Sequence, residues 1–315
     1  MTTRPRVAIL DDYQNVALAM ADWTPVSDRA DITVFNDHVA DPDRLFDRLR
    51  GFDVVFVMRE RTPLTRSIIE RLPQLKMIAS TGPFNASIDM TAVADHGIHV
   101  GTTSGTIAST VELTWALILA ASRSLVAESE AVRNGQWQTN VGRELSGKVL
   151  GILGLGRIGK RVAPVGTALG MDVVAWSENL TEVAAVSAGA RYVTKDELFS
   201  TSDVVTLHLR LSERSRHLVA AAELALMKPT ALLVNTSRGP IVDESALVDA
   251  LRSYAIGGAA LDVFDVEPLP AEHPFRTLDN VLATPHIGYV ADTPYRIFFG
   301  DAVAAISAWL DDQPQ

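Results

Sequence analysis

The sequence predicts an α/β protein built from two doubly wound parallel-sheet domains. Three observations carry that expectation. Short runs rich in Val and Ile alternate with longer segments of helical period, the pattern of strands buried on both faces by crossover helices. The alternation stops at a polar, glycine-bounded joint, Gly101-Thr102-Thr103-Ser104-Gly105, and then begins again. The length of 315 residues suits two domains at roughly 100 to 200 residues each.

Before the joint, strands are expected at residues 7–10, 32–35, 53–58 and 76–79, with helices near 43–49, 65–71 and 89–95. Just after it, Ser109 and Glu112 have capping-box spacing and predict a helix start ahead of the apolar segment 113–121. Strands then recur at 149–153, 172–176, 203–207, 231–235, 257–261 and 281–283, and six strands suit a doubly wound sheet. Near the end, Phe298, Phe299, Ala302, Val303, Ile306 and Leu310 fall at helical spacing, so segment 295–310 is a helix that needs a surface to bury against.

Composition excludes several functions. With 28 Lys+Arg against 38 Asp+Glu the formal charge is −10, so neither nucleic acid nor an anionic membrane is an expected partner. The absence of cysteine removes disulfides, thiolate metal sites and cysteine nucleophiles, and fits a cytoplasmic protein. The apolar run 115–121 falls far short of the roughly 20 residues that span a bilayer. The N-terminal segment runs into Asp11 and Asp12 before a signal-peptide core can form. A soluble chain is expected.

The loop Gly154-Leu155-Gly156-Arg157-Ile158-Gly159 follows the predicted strand 149–153 and opens a predicted helix over 157–169, and that context gives the glycines meaning. Gly154 permits a tight turn, Gly156 lets the backbone approach a pyrophosphate, and Gly159 lets the helix pack on the strand. Unpaired N–H groups at the helix start, where Arg157 and Ile158 stand, suit an anion. A bare strand-to-helix turn or a methyl-donor cofactor would use the same glycines. An acid about 20 residues on would hold the ribose hydroxyls of NAD, and Glu178 is placed for it. Ser177 stands where an Asp is first expected, and a small polar residue there also accommodates NADP.

At or just beyond the ends of predicted strands, where an open α/β sheet gathers its ligand site, stand three reactive side chains. They are Arg238 in Asn235-Thr236-Ser237-Arg238-Gly239, Glu267 in Asp262-Val263-Phe264-Asp265-Val266-Glu267-Pro268, and His286 in Thr284-Pro285-His286-Ile287-Gly288. Together with the glycine loop, Gly135-Gln136-Trp137, Leu145-Ser146-Gly147-Lys148 and Val204-Val205-Thr206-Leu207-His208-Leu209, in order over most of residues 75–290, they resemble the D-isomer-specific 2-hydroxyacid dehydrogenase family.

The resemblance implies an NAD- or NADP-dependent oxidoreductase that moves a hydride between the nicotinamide and a small 2-oxoacid or D-2-hydroxyacid of the glyoxylate, hydroxypyruvate or pyruvate type. It implies that Arg238 binds the substrate carboxylate, that His286 exchanges a proton with the substrate oxygen, and that Glu267 supports the His. Each role agrees with the chemistry of its group. A guanidinium fork matches a carboxylate. A protonated imidazole neutralises the charge that grows on the carbonyl oxygen, and a neighbouring carboxylate favours that protonated form.

The resemblance further implies cofactor contacts from Thr110, His208, Thr236, Asp262 and Gly288, although packing accounts for His208 equally well. It implies substrate contacts from Arg59 and from Ser80-Thr81-Gly82, whose backbone N–H groups would hold the carboxylate; a surface charge is an equal reading of Arg59. No metal is needed, because Arg238 and His286 supply positive charge. In fold terms it implies a Rossmann dinucleotide-binding domain over 102–287 and a smaller flavodoxin-like substrate domain formed by 1–101 and 288–315, with a cleft that closes on substrate. A homodimer is expected through 109–121 and the arm 128–142. The alternative is an NAD-sensing regulatory protein of the same fold with little or no turnover; the complete set Arg238, Glu267 and His286 favours the enzyme.

The chain departs from the family pattern at the substrate loop, where Gly82-Pro83-Phe84-Asn85-Ala86 has Phe84 for a second glycine and Ala86 for an acid. Arg210 stands where Pro commonly follows His-Leu, facing either a cofactor phosphate or water. Glu267, where formate-oxidising relatives have Gln, argues against that branch.

Overall fold

The computed structural model describes residues 4–312. The chain divides into two compact units, one running to Thr106 and resuming at Ala291, the other spanning Ile107–Val290. The first holds five parallel strands, β1 (Arg6–Ile9), β2 (Asp31–Val34), β3 (Val54–Val57), β4 (Met77–Ser80) and β5 (His99–Thr102), in the order β2-β1-β3-β4-β5. That is the flavodoxin-like order. The central β3 and β4 are buried at every residue, which is why β3 reads as an unbroken apolar run and β4 as one up to Ser80. Helices Pro42–Leu49 and Met90–Asp95 start where Asp41 and Asp89 accept backbone N–H groups at their N-termini.

The last helix, Asp292–Asp311, lies on this sheet, with Phe299 stacked on Phe56 of β3 at 5.3 Å between ring centroids. Trp309, rather than Leu310, completes its buried stripe. Three features of this unit differ from the sequence reading. The short helices Ala17–Met20 and Thr24–Ser27 carry no periodic signal. The expected joint 101–105 begins inside β5, whose last two residues are Gly101 and Thr102; a Cβ on Gly101 would stand 2.9 Å from Ala305 Cβ, so this glycine serves close packing. Ser104 then donates its N–H and hydroxyl to Asp301 at 2.8 and 2.6 Å, which keeps the segment with this unit.

The second unit holds β6 (Val149–Leu153), β7 (Asp172–Trp176), β8 (Arg191–Tyr192), β9 (Val204–Leu207), β10 (Leu232–Asn235), β11 (Gly258–Leu261) and β12 (Val281–Ala283). All are parallel, in the order β12-β11-β10-β9-β6-β7-β8. Counted from β6 this is the Rossmann order, with its switch point between β6 and β9. The seventh strand, β8, has two exposed residues and is too short to show a pattern.

The expected capping box at Ser109 and Glu112 does not form. The helix runs Ala108–Ser122, its N-cap Ile107 makes no side-chain bond, and both residues lie inside it. Burial of its apolar residues, Trp115 and Ile118 among them, is what this helix contributes. Among the described residues, no single helix is long and apolar enough to cross a membrane.

Candidate active site

The glycine loop leaves β6 at Gly154, whose φ of +103° is open only to glycine. A Cβ there would meet the His208 carbonyl oxygen at 2.6 Å, and one at Gly159 would meet the Gly154 carbonyl oxygen at 2.4 Å. Between them, Gly156 faces nothing within 4 Å among the described residues. The loop is thus packed at both ends and open at the middle, where a pyrophosphate would lie. The helix that follows, Gly159–Ala168, has no side-chain cap at Ile158; its Lys160 and Arg161 N–H groups go to the Gly156 and Ile158 carbonyls at 3.0 and 2.8 Å, so the N–H groups that remain for an anion are those of Arg157, Ile158 and Gly159 ahead of them. Arg157 and Ile158 sit in the loop just ahead of it. These features fit a dinucleotide.

Ser177, at the end of β7, turns its hydroxyl back to accept the Leu155 N–H at 3.0 Å and braces the loop; Glu178 beside it is exposed. His208 follows β9, tied by its N–H to the Leu153 carbonyl at 2.8 Å. Its ring is buried, with Nε2 3.0 Å from Thr206 Oγ1 and Nδ1 without a hydrogen-bond partner among the described residues. Burial drives its pKa down to about 3, so it adds no charge near the loop at neutral pH.

Beyond β10, Thr236 shares a 2.9 Å contact with Thr114, and Thr110 of the same helix donates to the Gly288 carbonyl at 3.1 Å. Asp262, fully buried at the end of β11, accepts the Thr284 hydroxyl at 2.6 Å and the Ile287 and Gly288 N–H groups at 2.8 Å each. Burial raises its pKa against the pull of those donors. Thr110, Asp262 and Gly288 thus form one connected patch.

His286 is built on that patch. Its φ is +54°, a left-handed conformation that a non-glycine residue holds only when its surroundings impose it. The Asp262 bonds to the next two N–H groups impose it here. The ring is aimed so that Nδ1 lies 2.5 Å from Glu267 Oε2. A carboxylate can only accept, so Nδ1 carries the proton and Nε2 is left for a substrate. The other Glu267 oxygen accepts the Phe264 N–H at 2.9 Å, and Tyr289 sets its ring edge-on to the imidazole at 5.3 Å.

Arg238 lies in the turn after β10. Asn235 fills that turn, donating to the Arg238 carbonyl at 2.9 Å and accepting the Ser237 N–H at 3.0 Å. Ser237 donates to the Leu207 carbonyl at 2.6 Å, pinning the turn to β9. The turn packs on the Glu267 loop: a Cβ at Gly239 would fall 2.1 Å from the Phe264 carbonyl carbon. Arg238, Glu267 and His286 are therefore parts of one contact chain. The sequence reading missed Asn235, Ser237 and Tyr289, whose contribution is geometric.

In the first unit, Arg59 follows β3 with φ +52°. Its guanidinium donates to the Thr81 carbonyl at 3.1 Å and lies over Gly82, filling the space a side chain would need. The expectation that Thr81 and Gly82 offer N–H groups to a carboxylate is corrected: Thr81 N–H goes to Val57 O at 3.2 Å and Gly82 N–H to Thr103 Oγ1 at 2.7 Å. Asn85, buried, donates to the Arg59 carbonyl at 2.7 Å and to Ser80 Oγ at 3.1 Å, so the Ser80 hydroxyl is engaged as well. Phe84 is exposed.

Residues 115–288 match the sequence profile described as D-isomer specific 2-hydroxyacid dehydrogenase, NAD binding domain. The chain is 38% identical over 294 residues to a glyoxylate reductase of Aeropyrum pernix, covering 90% of this chain and 86% of that one. Among solved structures it is similar to a phosphoglycerate oxidoreductase of Vibrio cholerae O395, with TM-score 0.94, 38% identity, and 99% and 100% of the two chains covered. It is also similar to a D-lactate dehydrogenase of Aquifex aeolicus complexed with NAD and lactic acid, with TM-score 0.78, 27% identity, and 97% and 95% covered.

Proposed function

The chain belongs to the D-isomer specific 2-hydroxyacid dehydrogenase family and is an NAD-dependent oxidoreductase, and we propose that it reduces a small 2-oxoacid of the glyoxylate, hydroxypyruvate or pyruvate type with Arg238, Glu267 and His286 as its catalytic residues. The observation that carries the assignment of residues is the Glu267–His286 contact at 2.5 Å, on a loop packed against the Arg238 turn.

Bound NADH would supply the hydride. Arg238 holds the substrate carboxylate in a bidentate grip and fixes which face of the carbonyl is presented. As charge grows on the carbonyl oxygen, His286 donates its Nε2 proton to it, and Glu267 holds the ring at Nδ1 and balances its charge. In the reverse direction the same nitrogen takes the hydroxyl proton. Arg59 is proposed as a second cation toward the substrate, and the exposed Phe84 as a determinant of substrate size.

Mixing the protein with NADH and each of the three acids, and following the absorbance of reduced nicotinamide, tests this reading. We expect consumption with at least one acid. His286→Ala lowers kcat/KM by about 10² to 10⁴ and leaves NADH binding intact. Tight NADH binding with no consumption would overturn the reading in favour of a sensor.

A homodimer is part of the same reading. Leu125, Val126, Val132, Trp137 and Val141 are exposed along the helix Leu125–Arg133 and the segment after it, and a second copy would cover them. A cytoplasmic setting is proposed from the cysteine-free composition.

A further inference from the structure

We propose that Glu244 and His273 are positioning residues that brace the Phe264–Asp265 peptide and through it set the aim of Glu267 on His286. The proposal rests on the roles given above to Glu267 and His286. Glu244 opens the helix Glu244–Arg252, but Asp243 already caps that helix by accepting the Ala246 N–H at 3.1 Å. The Glu244 side chain instead takes donors from two other segments. Oε2 accepts the Asp265 N–H at 3.2 Å, and Oε1 lies 2.9 Å from His273 Nε2. The His273 tautomer follows from its other side, where Nδ1 accepts the Phe275 N–H at 3.2 Å. The ring proton therefore sits on Nε2 and is given to Glu244.

The braced peptide joins the catalytic groups. A Cβ on Gly239, next to Arg238, would stand 2.1 Å from the Phe264 carbonyl carbon and 2.5 Å from the Asp265 nitrogen. The Phe264 N–H is held by Glu267 itself at 2.9 Å. Any drift of this peptide moves the Arg238 turn and the Glu267 carboxylate together. Glu244 holds its place beside a like charge: the Asp265 carboxyl is raised by burial and then by Glu244, with His217 and Arg216 pulling it down and Asp243 pushing it up. The two N–H donors explain why a carboxylate stands there. Among the described residues, Glu267 is in contact with His286 and Asp262 interacts with it through its charge.

The test uses Glu244→Gln, His273→Leu, His273→Gln and Asp243→Asn. Gln at 244 keeps the shape but offers one oxygen to two N–H donors, so one contact becomes donor against donor. Leu at 273 removes a donor and keeps the Glu244 charge, while Gln at 273 keeps a donor. Asp243→Asn removes a neighbouring charge and keeps the cap. We expect kcat/KM to fall about 10- to 100-fold in Glu244→Gln and His273→Leu, with NADH affinity unchanged. We expect the acid-to-base midpoint of the kcat/KM profile to move down by at least about half a pH unit in both, and the NMR titration of the His286 ring, read without cofactor or substrate, to move likewise. His273→Gln should recover most of the activity.

An unchanged pH profile in both variants overturns the brace. So does a shift in Glu244→Gln matched by Asp243→Asn, which traces to lost charge, or a His273→Gln as impaired as His273→Leu. Should His273→Leu not fold, Glu244→Gln against Asp243→Asn decides. Wild-type protein without turnover on any 2-oxoacid would count against the proposed function, and the NMR titration would then judge the brace alone.

Discussion

Arg238 is held by its own turn, with Nη1 donating to the Ser237 carbonyl at 2.6 Å and its carbonyl tied to Asn235. A planar fork so fixed can present two parallel N–H groups to a carboxylate, whereas a lysine would bring one mobile ammonium. Arg238→Lys is expected to raise KM for the 2-oxoacid about 10-fold or more, equivalent to about 1.4 kcal/mol, and to leave NADH affinity unchanged. Steady-state kinetics with a fluorescence titration of NADH checks both; an unchanged KM would remove Arg238 from substrate binding. The candidates Arg238, Glu267 and His286 stand out in the sequence because each offers one functional group at or just beyond the end of a predicted strand. Asn235 and Ser237 do not, because small polar residues in a turn look alike until their partners are known. The N–H groups of Thr81 and Gly82 failed as ligands for the same reason, since sequence does not show that Val57 and Thr103 have already taken them.

The strand–loop–helix element around Gly154 separates two uses of glycine that the motif lumps together. A Cβ on Gly159 would press into the Gly154 carbonyl at 2.4 Å and Ile152 Cγ2 at 3.0 Å, so the helix must leave the sheet. A Cβ on Gly156 meets nothing within 4 Å among the described residues and intrudes only on a bound pyrophosphate. Gly159→Ala should therefore lower Tm by several degrees, for a cost of about 1–3 kcal/mol. Gly156→Ala should keep Tm and weaken NADH binding about 10-fold or more. Thermal unfolding beside NADH titration reads the pair, and equal Tm losses would show that Gly156 is also a packing position. Elements buried on both faces, such as β3, β4 and β9, were legible because burial writes apolar runs, broken here only by the small Ser80 and Thr206. The Ser109–Glu112 spacing misled because a cap depends on where the chain turns, and here it turns at Ile107. The two-residue β8 has no room for a period.

Across the molecule, each unit closes its own core, around Val55, Val57 and Ile78 in the first and around Leu153, Val205 and Leu233 with Leu150, Val162 and Val234 in the second. Acid should therefore act on the units separately, and His208 places its effect in the second. Its folded pKa is about 3, against about 6.5 when unfolded. Above the unfolded value both states are neutral and His208 contributes no slope. Below it the unfolded chain takes up a proton that the buried ring refuses, so stability falls as pH drops and the full loss is reached near the folded value. Between about pH 7 and about pH 5 this amounts to about 2 kcal/mol. Hydrogen exchange at the two pH values, corrected for intrinsic rates, should show protection lost in β6, β9 and β10 and not in β3 and β4. His208→Gln, which cannot take up a proton in this range, should flatten the loss in the second unit even if it begins less stable. Equal slopes in wild type and variant would mean that His208 titrates freely in the fold, and its buried, neutral state beside the glycine loop would have to be abandoned.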